Sequence, residues 1–574
     1  MKLLVKYLRP FVPRMLLGLM IKITATMAEL LLPYILSHVL KVVVARQSLN
    51  EIFAWGGVML LCSAAALVLN VIANRMAAAV SRDSSRNIQR DLFRRIMTLS
   101  AAQTDHFTIP SLESRVTTDT YHVRMFIGMI QRMGVRAPIL LIGGVFIALF
   151  MDRALAVVML LMMPIVFGLI FFISRKGIPL FTRVQKSVDN MIRVVREDTQ
   201  GIRVIKALSK QEYEHRRYDA VNRALVRDET RAKTVMSLIS PVSNMLMNGG
   251  IVAVVSLAAF RVAGGTSDPE TVIAFMQYFT QISMALMTIN RIFTMFTKST
   301  ASANRILEVL DTPEDLSVKS TGEYPDRPTV NHIEFDDVSF SYLGRKNNLD
   351  HITFALPKGG WLGIIGATGS GKSTLVKLLL RFYDVNSGTI RINGRDIRTI
   401  PRKELYAMFG TAMQFDFLYA DTVEENIKFG RDLTHEQVEQ AAVTAQAHDF
   451  ITGFADGYEH MLSQKGTNIS GGQKQRLLIA RAVATDPEIL ILDDSSSALD
   501  YKTDAALRQA LAQRMKDTTV VTVAQRVSSI KNCDLILVLD EGKVIGAGDH
   551  QHLLASCTEY AEISQSQMGG AFVE

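Results

Sequence analysis

Six apolar runs occupy the first 310 residues, at about 15–40, 54–76, 134–151, 153–174, 236–261 and 272–297. Each is near the ~20 residues that cross a hydrocarbon core. Ala154–Ser174 holds no charged residue at all, and it is too long for a buried helix of a soluble domain. Lipid offers the backbone no hydrogen-bond partner, so such runs predict helices. The first half of the chain therefore reads as an all-α, six-span membrane domain covering residues 1–310.

Orientation follows from the connections. Met1–Arg14 carries Lys2, Lys6, Arg9 and Arg14 with no acid, and the long stretches 76–133 and 175–235 are rich in Lys and Arg. The positive-inside bias puts the N-terminus, both long stretches and the C-terminal half in the cytoplasm. The two stretches have few Gly or Pro and are expected to continue the membrane helices as long cytoplasmic extensions. The first apolar run is long enough to span and lacks a small-residue cleavage site, so no cleavable signal peptide is expected.

Composition then reads as a sum. The whole chain is 48% hydrophobic and 21% charged, an average that suits neither a soluble nor a fully embedded protein. Disorder is excluded by the hydrophobicity, and a disulfide framework by the presence of only three cysteines. The net charge of +8 would admit nucleic acid, anionic lipid or membrane topology as its meaning. Much of the excess base lies in the N-terminal segment and the membrane-proximal stretches, so topology accounts for it and no nucleic-acid partner is expected.

Beyond a linker at 311–330, residues 331–574 alternate short strand-like and helix-like segments. Leu362–Gly366 is an apolar segment running into Gly366-Ala-Thr-Gly369-Ser-Gly371-Lys372-Ser373-Thr374, and the run after it is helical in type. This is a P-loop in its strand–loop–helix setting. Its glycines let successive N–H groups converge on phosphates at a helix N-terminus. Lys372 is expected to reach the β- and γ-phosphates and Ser373 to ligate Mg²⁺. Ile489–Leu492 has the pattern of a buried parallel strand and ends at Asp493, the expected Walker B carboxylate for Mg²⁺. ATP and Mg²⁺ are thus the expected cofactors.

Between these motifs lies Asn468-Ile-Ser470-Gly471-Gly472-Gln473-Lys474-Gln475-Arg476. The chain here resembles the ATP-binding cassette (ABC) transporters, whose signature is Leu-Ser-Gly-Gly-Gln. Tyr342 stands where that family stacks an aromatic ring on adenine. Gln414 stands at the Q-loop, which the resemblance places at the Mg²⁺ and the catalytic site. Ser497-Ala498-Leu499-Asp500 matches the D-loop. The resemblance covers the whole chain and implies an exporter-type half-transporter in the cell membrane, an ATPase coupled to transport. It also implies a dimer, because in this family Ser470–Gln473 of one chain would close over ATP held by the P-loop of another.

Two departures from the family pattern fall beside the bond to be cleaved. The family's catalytic base is a Glu after the Walker B Asp; here it is Asp494. The family's switch His is here Gln525, which can hydrogen-bond a phosphate but cannot become a cation. Gln464, before the signature, also stands where the family often has Glu. The pattern resembles the degenerate-site subunit of bacterial heterodimeric multidrug exporters. It implies a slow site built by this chain and a competent one completed on a second half-transporter. A homodimer with harmless drift at both positions remains open.

Asp105–Phe107 through Arg115–Asp119, and Gly201–Leu208, resemble the family's coupling elements. In the last span, a wheel puts Met276, Gln277, Thr280, Gln281, Ser283, Met284, Met287, Thr288, Asn290, Arg291, Thr294 and Met295 on one face. Phe275, Tyr278, Phe279, Ile282, Ile289, Phe293 and Phe296 fall opposite. A water-accessible cavity and polar helix–helix packing would both produce this pattern. Lys22 and Glu29 share one face of the first span and are either cargo-path residues or a structural pair. By resemblance the cargo is a small amphipathic molecule, drug or lipid-like, and membrane lipid is a partner. A homodimeric lipid or peptide exporter, an importer on an exporter fold for siderophore-like cargo, and an ATP-gated non-transport protein remain alternatives.

Overall fold

The computed structural model describes residues 2–264, 268–414, 417–495 and 497–568, apart from the side chains of Ala45, Ile170, Asn290 and Met568. The chain divides into two units. The first comprises Met1–Thr98 and Phe107–Thr312, the second Leu99–His106 and Pro313–Glu574.

The first unit has the expected six membrane helices. The first is Val12–His38, which a π-turn at Val39–Val43 prolongs. The second and fourth, Leu49–Ile96 and Arg153–Gln200, have 48 residues each, about 72 Å at 1.5 Å per residue and more than twice a bilayer core. The third is Thr120–Met151, the fifth Ile239–Ala263 and the sixth Pro269–Leu310. Only Asp152 separates the third from the fourth. Its extended backbone ends the turn, and its carboxylate accepts from Ala154 N at 2.9 Å and Leu155 N at 3.3 Å. The same carboxylate pairs with Arg261 Nε at 3.3 Å, so one acid caps the fourth helix and holds the end of the fifth.

The sixth helix sorts its faces by chemistry. Phe275, Tyr278, Phe279 and Ile282 are buried among neighbouring helices, and the Tyr278 hydroxyl donates to Leu30 O at 2.7 Å. Gln277, Met284 and Arg291, at seven-residue spacing, are exposed in the protomer. Two residues break the wheel: Ser283 is buried and Phe293 exposed. The side chain of Asn290 lies outside the described residues. Below the spans, Arg115 donates to Arg305 O at 2.7 Å and pairs with Glu308 at 2.9 Å, while Asp119 pairs with Arg305. The cytoplasmic ends of the third and sixth helices are thereby tied together.

The second unit is α/β. Its strands are β1 (Asn331–Phe340), β2 (Leu349–Pro357), β3 (Trp361–Gly366), β4 (Ser387–Ile392), β5 (Arg395–Asp396), β6 (Phe409–Ala412), β7 (Ile489–Asp493), β8 (Thr519–Val523), β9 (Leu535–Asp540) and β10 (Lys543–Gly548). An antiparallel sheet has the order β2-β1-β4-β5, and a larger one the order β10-β9-β3-β8-β7-β6. In the larger sheet every pair except β10–β9 is parallel. Its β3, β7 and β8 are almost wholly apolar and buried, as strands covered on both faces must be. Loops at the carboxyl ends of such strands are where α/β sheets bind ligands, and the P-loop, Asp493 and the segment after Val523 all lie there.

Leu99–His106 belongs to this second unit although it follows a membrane helix in sequence. Asp105 Oδ2 accepts from the Tyr383 hydroxyl at 2.6 Å, Ser100 donates to Asp315 at 2.6 Å, and Gln103 donates to Pro313 O at 2.7 Å. Burial and the bond to Asp105 push the Tyr383 phenol pKa well up, so it stays a donor.

Candidate functional site

The site begins with the turn out of β3. Gly366, Gly369 and Gly371 have φ of 155°, 86° and 105°. At Gly366 the reason is steric as well, since a Cβ there would lie 2.0 Å from Leu539 O on the neighbouring strand. The loop leads into the helix Lys372–Leu379. Lys372 Nζ donates to Gly366 O at 2.8 Å and Ala367 O at 2.7 Å, which folds it over the loop. Burial lowers its pKa, against the pull of Asp493 and Asp494.

Strand order explains the rest. β8 lies between β3 and β7, with Val523 opposite both Ile364 and Asp493. One residue past the ladder, Asp494 N still donates to Val523 O at 3.0 Å. Asp494 has φ of 53°, a left-handed turn that swings the chain out of the strand. Two residues past Val523, Gln525 Nε2 reaches Asp494 Oδ2 at 2.8 Å. Gln414 Nε2, beyond the end of β6, reaches the same oxygen at 3.2 Å. Burial raises the Asp494 pKa, and the two amide hydrogen bonds act against the rise. Asp493 is raised as well, chiefly by burial.

Ser373 Oγ lies 3.5 Å from Asp493 Oδ1. A hydroxyl and a carboxylate beside a phosphate loop are the hard oxygen donors that Mg²⁺ takes together with substrate phosphates, so these residues fit that ion. These groups line one cleft of about 1000 Å³, bounded by residues 366–374, Gln414, Asp493, Asp494, Gln525, Asn348 and Gly542. Tyr342 stands beside it. Its hydroxyl lies 3.4 Å from Thr374 Oγ1, and its ring packs edge-on against Tyr383 with centroids 5.1 Å apart.

The signature is built but stands elsewhere. Ser470 caps the helix Gly471–Val483: its Oγ accepts from Gln473 N at 3.2 Å, and Gln473 Oε1 accepts from Ser470 N at 2.9 Å. None of Ser470, Gly471, Gly472 and Gln473 lines the phosphate cleft. Gln475 joins this helix to the D-loop, accepting from Ala498 N at 3.0 Å.

Matches to known families fit this division. A model described as the ABC transporter transmembrane region matches residues 15–286, and one described as ABC transporter matches 349–497. The chain belongs to the ABC transporters. An uncharacterised ABC transporter ATP-binding protein of Mycobacterium tuberculosis is 32% identical over 576 residues, covering 100% of this chain and 99% of the relative. The uncharacterised ABC transporter YfiB of Bacillus subtilis is 32% identical over 98% of each chain. Among solved structures, a bacterial Atm1-family ABC exporter with ATP bound shares the fold, with a TM-score of 0.81 at 22% identity over 99% of both chains. This ABC transporter chain is therefore a half-transporter with an exporter-type fold, a multi-pass membrane protein whose ATPase domain implies a dimeric partner.

Several residues at the site carry no motif. Asn348 Oδ1 accepts from Tyr342 N at 3.1 Å, which fixes the aromatic residue. Gln567, on the C-terminal helix Thr558–Met568, grips the switch segment from both sides. It accepts from Val527 N at 2.8 Å and donates to Gln525 O at 2.8 Å. Neither is marked by spacing or periodicity; both are brought in by the fold.

Proposed function

We propose that this chain is one half of a heterodimeric ATP-driven exporter of small amphipathic molecules, and that its own P-loop site turns over slowly. The observation that carries this reading is the set of contacts around Asp494. Its carboxylate stands at the position of the hydrolytic base on a side chain one methylene shorter than Glu, a retraction of about one C–C bond, ~1.5 Å. An error of about 1 Å can lower a rate ~10²-fold. Its Oδ2 is also held by the amides of Gln525 and Gln414. Neither amide can accept the proton that a base must pass on, and neither can supply a cation to the γ-phosphate.

The other parts of the site suit binding. The P-loop amides and Lys372 hold the β- and γ-phosphates, Ser373 and Asp493 hold Mg²⁺, Gln414 stands beside them, and Tyr342 stacks on adenine. Mg²⁺ held there would supply positive charge against the phosphates. Thr374, in the first turn of the helix, accepts from the Tyr342 hydroxyl at 3.4 Å. The intact cap at Ser470, with Gly471, Gly472 and Gln473, suits a signature that closes over the partner's ATP, where a Glu and a His would hydrolyse it.

Purification of the chain alone and with its partner tests the reading. The chain alone is expected to hydrolyse ATP at about 1% of the rate of the complex or less, following the ~10²-fold cost of displacement. Robust turnover by the chain alone, abolished by Asp494→Ala, would sink the heterodimer.

A further inference from the structure

Lys22 and Glu29 of the first membrane helix are seven residues apart and share a face. Both are engaged. Lys22 is 4% exposed, and its ammonium donates to Asn70 Oδ1 at 2.5 Å and Asn74 Oδ1 at 3.3 Å on the second helix. The Asn70 amide donates in turn to Glu29 Oε1 at 2.8 Å. Glu29 Oε2 takes both Nε and Nη2 of Arg136, from the third helix, at 3.1 and 2.9 Å. One continuous hydrogen-bonded chain therefore joins three membrane helices.

Its charge does not balance. Two cations, Lys22 and Arg136, share the one carboxylate of Glu29 in this chain of bonds. A third, Arg132, stands one turn before Arg136 on the same face of the third helix. Arg132 Nε donates to Gly128 O at 2.9 Å, and among the described residues no carboxylate pairs with Arg132. Arg136 gives two donors to Glu29, and its side chain is still 49% exposed. Lys22 cannot extend toward the membrane surface as a free lysine would, because two asparagines hold it in place. An ionised group inside a span calls for a partner or a pathway, and here the surplus is positive.

We propose that Arg132 and Arg136, backed by Lys22, form an anion site within the membrane unit. It takes the acidic headgroup of an amphiphile, a carboxylate, phosphate or sulfonate on an apolar body. This deepens the exporter reading and rests on it for the ligand's role as cargo. Guanidinium suits such groups because its planar fork matches their oxygens. Glu29 is the internal competitor, holding Arg136 until an external acid takes its place.

The test is equilibrium binding of radiolabelled dodecyl phosphate to the full-length chain in zwitterionic nanodiscs without ATP. Dodecyltrimethylammonium and dodecyl maltoside serve as competitors. Arg136→Gln and Arg132→Gln are each expected to weaken dodecyl phosphate about tenfold, the worth of one charge-assisted hydrogen bond. Glu29→Gln is expected to strengthen it. Opposite signs for the two members of one ion pair separate a ligand site from a structural pair, whose loss would act in the same direction from either side. Arg136→Lys, which keeps the charge, is expected to retain part of the affinity. Equal displacement by all three amphiphiles, or binding indifferent to the Arg variants, overturns the proposal. A second arm adds phosphatidylglycerol to the nanodisc. Competition by that lipid assigns the site to a membrane headgroup, and its failure to compete assigns it to cargo. ATP-driven transport in vesicles is measured separately, so failure of the exporter reading is distinguished from failure of the site.

Discussion

Two side-chain amides converge on Oδ2 of Asp494 and leave Oδ1 unclaimed by either. A single substitution therefore does not restore a family-type site: a Glu would gain reach while Gln525 still offered no charge. Asp494→Glu together with Gln525→His is expected to raise turnover in this site by about 10²-fold, the scale attached to a ~1 Å displacement. The measurement is ATPase rate in a transporter whose partner site has been inactivated, with each single variant as control. The substitutions themselves are legible from the residues, since Asp and Gln occupy positions whose chemistry is set by their distance from Asp493 and Arg526. Their meeting on one oxygen is not legible. It depends on β8 lying between β3 and β7, and the spacing of motifs along the chain does not carry that order. Gln567 is a still plainer case: its hold on Val527 and Gln525 joins residues 40 and 42 positions apart.

Among the elements, the sixth membrane helix divides its faces by burial. Phe275, Tyr278, Phe279 and Ile282 are buried within the protomer, so most of the Met and polar stripe is left for water, a partner or cargo. A stripe holding Gln277 and Arg291 is unsuited to hydrocarbon. Met284→Cys, placed in a background lacking Cys62, is expected to react with a water-soluble maleimide in intact membranes and to be protected by cargo. The same substitution at Phe279, which is 5% exposed, is expected to stay unreactive. Mass shift of the purified chain reads both. Six helices could be counted from hydropathy because lipid imposes length and apolarity on each one. The joint at residue 152 is legible too, since the third and fourth runs stop and resume on either side of it. What hydropathy averages away is the carboxylate there, which caps two amides and meets Arg261.

For the whole molecule, the shift in composition near residue 310 marks where membrane chemistry gives way to α/β chemistry. It does not show that Leu99–His106 belongs with the second unit. That piece is too short to alter a composition window, and its attachment rests on three hydrogen bonds and the packing of Ala101 against the β-sheet core. Tyr383→Phe removes one of those bonds and leaves Asp105 without its donor. It is expected to lower the stability of the second unit by about 1 kcal/mol, a typical value for one hydrogen bond, read as the unfolding midpoint of the full chain in detergent. Asp105→Ala should behave alike, and the double variant should add little to either.

The two-piece makeup of the second unit also bears on birth order. A ribosome delivers Leu99–His106 some two hundred residues before Pro313, so the eight residues wait at the membrane for a domain that has not yet been synthesised. A cassette cut free at Pro313 would emerge lacking a part of itself, with Asp315 and Tyr383 facing solvent where Ser100 and Asp105 belong. Insertion of the second and third membrane helices therefore precedes completion of the motor, and a chain that mis-threads early would carry an ATPase with a missing piece.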